Sequence, residues 1–224
     1  MTVQTGTQGP DTPLLEVQRL AASRGERRLF QGLDLALHAG HIVWLRGRNG
    51  RGKTTLLRLL AGLSTPAEGE IRVRGQALRT APASWRAEVG YLAHANALKD
   101  DLTAAEAVRF AGALTGLTPH PAQVLEALRR LGLSSRAGAP VRTLSQGQRR
   151  RVALARLALP CAPRVWLLDE PFDALDDRAV EVLNSLLAEH AAAGGAALLT
   201  SHQALSLRNP QPQELNLDAH SALA

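Results

Sequence analysis

An α/β fold on a mostly parallel sheet is what this sequence predicts, and three observations carry the prediction. Short apolar runs with strand character recur along the chain, helical patterns of leucine and alanine lie between them, and a glycine-rich segment joins one such strand to one such helix. Alternation of strand and helix argues for parallel neighbours, because parallel strands need a crossover and a helix supplies it.

Taken in order, Leu14 to Leu20 alternates around Leu15 and Val17, and Leu33, Leu35 and Leu37 do the same before the turn His38-Ala39-Gly40. Both read as half-exposed strands. His41 to Arg46 is an apolar run bounded by glycine, as expected of a buried strand. From Lys53 to Gly62 the leucines at 56, 57, 59 and 60 follow helical spacing, with Gly62 placed to end the helix. Glu70 to Arg74 alternates again through Ile71 and Val73. The middle third changes character: Thr103 to Thr115 and Pro121 to Leu131 are rich in alanine and leucine without a strand pattern and predict helices. Strand signals return at Arg164 to Leu168 and at Ala196 to Thr200, with a helix predicted between them over Arg178 to Ala193. The expected organisation is a polar, disordered tail over residues 1–13 and a single domain over 14–224, with a helical insertion at about 91–145.

A chain of 224 residues with 45% hydrophobic composition can bury one substantial core. No stretch approaches the roughly 18 to 20 apolar residues that cross a bilayer, and Met1 to Pro13 lacks the pattern of a signal peptide. The single cysteine, Cys161, excludes an intrachain disulfide and fits the cytoplasm. A net charge of +6 raises the question of nucleic acid, but aromatics are only 3%, too few for a base-stacking platform. The basic residues are spread out, with Arg149-Arg150-Arg151 the tight cluster, so a solvated arginine-rich surface is the preferred reading and no nucleic-acid partner is expected.

Gly47-Arg48-Asn49-Gly50-Arg51-Gly52-Lys53-Thr54 fits the pattern G-x-x-x-x-G-K-[ST] between a predicted strand and a predicted helix, the context this phosphate-binding loop requires. Glycines let backbone N–H groups point inward at phosphate oxygens, and the helix that follows adds its positive end. Lys53 would reach the β- and γ-phosphates and the Thr54 hydroxyl would hold Mg²⁺, with Thr55 alongside. Lys53 and Lys99 are the only two lysines in the chain. A compact ammonium thus stands where it suits the geometry better than a guanidinium fork. The motif predicts a P-loop NTPase that binds a nucleoside triphosphate, whatever the reaction.

Val165 to Glu170 is an apolar strand ending in two acids. Asp169 would bind Mg²⁺ through water, and Glu170 would accept a proton from the attacking water.

Leu144-Ser145-Gln146-Gly147-Gln148 resembles the signature sequence of ABC ATPases; Ala174-Leu175-Asp176 resembles their D-loop, and His202, after the strand Ala196 to Thr200, their switch histidine. The resemblance implies the ABC ATPase form of the P-loop fold, with an antiparallel β subdomain beside the parallel core. It also implies a homodimer that forms on ATP, in which Ser145, Gly147, Gln148 and Asp176 of one chain close on the nucleotide held by the other. Three positions depart from the pattern. His94 stands where the Q-loop glutamine is usual and is assigned a metal-facing role; Arg24 stands where an aromatic often stacks on adenine; Gln146 replaces a glycine of the signature.

Tyr91-Leu92-Ala93-His94 with Lys99, Leu102 and Thr103, then Gln148 to Leu157, Leu168 to Phe172 and Thr200 to Gln203, are similar to the haem-exporter ATP-binding subunits of bacterial cytochrome c maturation, over about Leu15 to Leu205. This implies ATP and Mg²⁺ as cofactors, integral membrane transporter subunits as partners, and a peripheral place on the cytoplasmic face of the inner membrane. Hydrolysis would then drive haem handling, through release of a haem-loaded chaperone. The competing readings are an ABC ATPase serving a drug, lipid or metal, and a soluble ABC protein acting on ribosomes or DNA. The seven histidines are scattered, and none is marked as a haem ligand.

Overall fold

The computed structural model describes residues 12–80, 85, 88–160, 162–202, 206–207 and 209–220. Most of the expected tail, Cys161, and Gln203 and Leu205 at the end of the resemblance lie outside the described residues.

Two sheets face each other across one helix. The first is antiparallel, ordered β2-β1-β4-β5, with β1 at Leu15–Arg24, β2 at Arg27–Leu37, β4 at Glu68–Val73 and β5 at Gln76–Ala77. The second is parallel throughout, ordered β6-β7-β8-β3-β9, with β3 at Ile42–Arg46, β6 at Val89–Leu92, β7 at Val165–Leu168, β8 at Ala196–Thr200 and β9 at Gln213–Asn216. Every residue of β7 and β8 is buried, which is why these strands read as unbroken apolar runs without alternation.

Helix α1, Lys53–Leu60, lies between the sheets and buries Leu56, Leu57, Leu59 and Leu60 in a cluster that includes Leu15, Phe30, Val43, Leu45 and Leu167. It ends as expected: Gly62 takes φ +69°, Leu63 N–H donates to Arg58 C=O at 2.9 Å and Gly62 N–H to Leu59 C=O at 3.0 Å, the paired bonds of a Schellman turn. On the opposite face of the parallel sheet a second cluster joins Trp166, Leu168 and Leu199 to α2 (Ala104–Leu114), α3 (Pro121–Arg130), α4 (Gln146–Ala155) and α5 (Asp177–Ala192). The starts of α2, α3 and α4 each carry a capping box, on Thr103, His120 and Ser145.

Two core strands differ from expectation. The sequence predicts no strand between Arg74 and Arg164, yet β6 runs parallel to β7 with Tyr91 opposite Leu167. Tyr91 and Leu92 therefore belong to the core sheet, and the helical region begins after them. At four residues β6 is too short for alternation to register, and Gly90 inside it lowers its apparent strand propensity. Strand β9 is likewise invisible, since Gln-Glu-Leu-Asn is polar and sits on the edge beside β3. Among the described residues, no helix is long and apolar enough to cross a membrane.

Candidate functional site: a phosphate cleft at the ends of the parallel strands

The loops at the C-terminal ends of β3, β6, β7 and β8 meet over a cleft of about 350 Å³. Position follows from topology, because the C-terminal edge of an open parallel sheet is where loops from separate strands converge. Four loops contribute. The segment after β3 supplies Arg48, Asn49, Gly50, Gly52, Lys53, Thr54 and Thr55; the one after β6 supplies His94; the one after β7, Asp169 and Glu170; and the one after β8, His202.

The loop's shape depends on its glycines. Gly47, Gly50 and Gly52 have φ of +147°, +78° and +100°. A Cβ on Gly52 would also stand 3.1 Å from Leu29 Cβ, so packing against β2 reinforces what the backbone already requires. Lys53 turns back to donate to Gly47 C=O at 2.7 Å, which holds the ammonium across the mouth of the loop.

Behind the loop runs a chain of short bonds. Thr54 Oγ1 donates to Asp169 Oδ2 at 2.7 Å, Thr200 Oγ1 donates to Asp169 Oδ1 at 2.9 Å, and Glu170 N–H donates to Thr200 Oγ1 at 2.7 Å. Asp169 is thus clamped between two hydroxyls, only 3% exposed. The hydroxyl of Thr54 and the carboxylate of Asp169 are hard oxygen donors in contact, the kind of set that suits Mg²⁺ shared with a substrate's phosphates. Burial, and next the charge of Asp169, push the Tyr91 phenol above its ordinary pKa, so it stays protonated beside this acid.

Glu170 adopts φ +47°, a left-handed conformation that is rare outside glycine and costs about 1–3 kcal/mol. This turn aims its carboxylate into the cleft. His202 N–H donates to Glu170 Oε2 at 3.0 Å, while His202 Nε2 lies 3.5 Å from Oε1. One carboxylate oxygen is therefore anchored and the other remains toward the cleft, where it can accept a proton from water. His94 Nδ1 stands 3.7 Å from Asp173 Oδ2 across the rim. Arg24, exposed at the end of β1, lines both this cleft and the neighbouring depression formed with Thr55 and Arg58.

Other residues singled out from the sequence lie outside the cleft. Gly47 sits behind the loop, its Cα side against Leu217, and the Arg51 side chain turns away to pair with Asp218 at 3.0 Å. Ser145, Gly147 and Gln148 lie at the start of α4. Ser145 Oγ accepts from Gln148 N–H at 3.2 Å, and Gln148 Oε1 accepts from Ser145 N–H at 3.0 Å. Asp176 caps α5, accepting from Ala179 N–H at 2.9 Å. These two helix starts touch: a Cβ on Gly147 would stand 2.7 Å from Ala174 C=O.

Three participants were missed in the sequence. Thr200 ends an apolar strand as Asp169 does, a pattern that could have marked it. Asp218 accepts from Arg48 N–H at 3.1 Å and ties the loop to a segment 170 residues away, with no local signal. Arg150 lies in the arginine cluster that reads as solvated surface; the structure corrects that reading. Arg149 donates to Arg142 C=O at 3.0 Å and pairs with Asp100 at 3.3 Å, and Arg150 is 3% exposed. Lys99, the second lysine, covers the Phe110 ring at 4.7 Å.

Comparison with known proteins accords with this geometry. Residues 30–173 match the family model described as ABC transporter. The chain is 46% identical over 204 residues to the cytochrome c biogenesis ATP-binding export protein CcmA of Nitrosococcus oceani, covering 91% of this chain and 93% of that protein. It is 43% identical over 205 residues to the protein of the same name from Nitrosospira multiformis, covering 92% and 99%. A putative ABC transporter ATP-binding protein from Pyrococcus furiosus superposes with a TM-score of 0.80 at 25% identity, over 93% of this chain and 99% of that one. A dimeric ATP-binding cassette in a post-hydrolysis state, bound to ADP and Pi, superposes with a TM-score of 0.75 at 25% identity, over 84% and 88%. Sequence match, sheet topology and the phosphate cleft agree, and the chain belongs to the ABC transporter family as one of its ATP-binding, ATP-hydrolysing subunits.

Proposed function

We propose that this chain is the ATP-hydrolysing subunit of an ABC export complex that handles haem during c-type cytochrome biogenesis. The observation that carries the cargo is the near-full-length similarity to cytochrome c biogenesis ATP-binding export proteins, 43–47% identical across eight relatives. The geometry supports the chemistry.

In this reading the loop from Gly47 to Thr55 and Lys53 hold the triphosphate, and Thr54 and Asp169 hold Mg²⁺, which supplies charge neutralisation when bound. Glu170 accepts the proton of the attacking water, and His202 fixes its carboxylate through the backbone bond. His94 faces the metal's water, and Arg24 offers a guanidinium plane to the base. Since Ser145, Gly147, Gln148 and Asp176 lie outside the cleft of their own chain, they serve the nucleotide held by a second copy. The working unit is a two-fold dimer closed on ATP. Residues 14–224 form one domain, with the helical region as its insertion. Integral membrane subunits complete the complex, with this chain peripheral on the cytoplasmic face of the inner membrane.

Deleting the gene in the native host tests the cargo. The expected result is loss of covalently haem-bearing c-type cytochromes, restored by the parent gene and not by Glu170→Gln. Intact cytochromes in the deletion strain overturn the haem reading and leave the ATPase reading in place.

A further inference from the structure

Arg150 has no counterpart among the roles assigned so far, although it is the most elaborately bonded cation in the described structure. Its Nη1 donates to Ala93 C=O at 3.1 Å, to His94 C=O at 3.3 Å and to Asn96 Oδ1 at 2.9 Å. Its Nη2 donates to Asp169 C=O at 2.9 Å and to Glu170 C=O at 2.6 Å. One buried guanidinium thus joins the loop after β6 to the loop after β7, from a position in the second turn of α4. A planar fork with several fixed donors is well suited to serve acceptors on two separate backbones at once.

The place it grips is the strained one. Glu170 holds φ +47°, and the two ends of that residue are fastened by different elements: its N–H by Thr200 from β8, its C=O by Arg150 from α4. A left-handed non-glycine residue persists only where its surroundings over-determine it. Burial lowers the pKa of Arg150 below its ordinary value, and the nearby charges of Asp173, Asp169 and Glu170 oppose that shift in part. Arg156, at the C-terminal cap of α4, repeats the device by donating to Tyr91 C=O in β6.

We propose that Arg150 is a positioning residue for hydrolysis: it holds the Glu170 backbone in its left-handed turn and locks the His94 loop beside it, so that the carboxylate faces the attacking water. It acts through Glu170 and touches neither the nucleotide nor the metal. The inference rests on Glu170 being the proton acceptor, and it makes α4 a rigid link from Ser145 at its start to the carboxylates of its own chain.

The test compares Arg150→Gln, Arg150→Lys, Glu170→Gln and the double variant Arg150→Gln/Glu170→Gln. Each is prepared in the complex with the copurifying membrane subunits. Equilibrium ATP binding is measured without Mg²⁺, and single-turnover hydrolysis with γ-labelled ATP, which reads rates far below the steady-state limit. Arg150→Gln is expected to slow hydrolysis about 10- to 100-fold, with the dissociation constant for ATP within about twofold of the parent. Arg150→Lys keeps the charge and some donors and is expected to recover part of the rate. In the Glu170→Gln background, adding Arg150→Gln should change the rate by less than about twofold, because two residues acting as a unit do not add. Parental turnover in either Arg150 variant overturns the proposal, as does a parallel loss of ATP binding or losses that multiply in the double variant. Parental turnover by Glu170→Gln alone would instead remove the proton acceptor, a failure of the underlying reading that the single variants separate.

Discussion

The phosphate cleft and the start of α4 both carry residues singled out from the sequence, yet they are held in opposite ways. In the cleft, Thr54, Asp169 and Glu170 are fixed by bonds that cross between α1, β8 and the end of β7, Lys53 is held by its bond back to Gly47, and the acids are 3% and 7% exposed. At the start of α4, Ser145 and Gln148 bond to each other, Ser145 is exposed, and the contact made elsewhere is the close approach of Gly147 to Ala174 C=O. The difference teaches where the work of binding lies. A cleft assembled in advance loses little on receiving phosphates, because its groups are already held in place. A helix start whose polar groups satisfy one another can turn to a ligand on another surface without breaking the core that carries it.

Removing the ammonium of the phosphate loop should therefore have the largest effect. Lys53→Ala is expected to reduce turnover by at least about 100-fold, the scale of losing one preorganised donor to developing charge. The melting temperature should change little, since a single half-buried bond contributes about 1 kcal/mol. ATPase assays with a thermal melt decide it; turnover within threefold of the parent would break the assignment of the cleft. Gly147→Ala probes the other region. Its methyl would meet Ala174 C=O at 2.7 Å and push the α4 start away from the turn that leads into Asp176. ATP binding by the chain should persist, while turnover falls about tenfold or more because the second surface no longer closes correctly. Equal loss of binding and turnover would mean that the two regions are not separable.

How much of this could be read from the sequence follows the same division. The phosphate loop, the acids after β7 and the helix α1 were legible because each is a local pattern: a glycine spacing, an apolar run ending in acid, leucines at helical spacing. The antiparallel β subdomain and the signature segment came through resemblance, since nothing in Leu144 to Gln148 alone states a ligand. Strands β6 and β9 were not legible: four residues cannot display a period, and an edge strand of polar residues has no apolar signature. The arginine cluster misled because charge in sequence says nothing of burial. Arg150 is an interior residue whose carbonyl partners lie up to 57 positions away.

Asp218 sharpens the comparison from the cleft's outer side. Its carboxylate accepts from Arg48 N–H and pairs with Arg51 at 3.0 Å, with both side chains about a third exposed. This holds the phosphate loop from the C-terminal segment that β9 delivers. Asp218→Asn keeps an acceptor for the amide and loses the ion pair. The expected effect is a two- to fivefold rise in KM for ATP with kcat nearly unchanged, in keeping with roughly 1 kcal/mol at most for a partly exposed pair. Asp218→Ala removes both contacts and should raise KM further. If neither variant moves KM, the loop needs no outside support, and the cleft is stiffer than its bonding suggests.

His94 gives the smallest effect, and it lies on the boundary between the two regions. Its carbonyl is held by Arg150 from α4 while its ring reaches the rim of the cleft beside Asp173. A neutral imidazole presents one acceptor nitrogen and a carboxamide presents its oxygen, so either side chain can hold a metal-bound water. His94→Gln should therefore keep turnover close to the parent's, while His94→Ala, which offers no acceptor, should lower it about two- to threefold, the scale of a bond contributing about 0.5 kcal/mol. Turnover of the three proteins under one set of conditions checks this. Parental turnover by His94→Ala would show that the ring contributes no acceptor and that this loop acts through its backbone, where Arg150 already holds it.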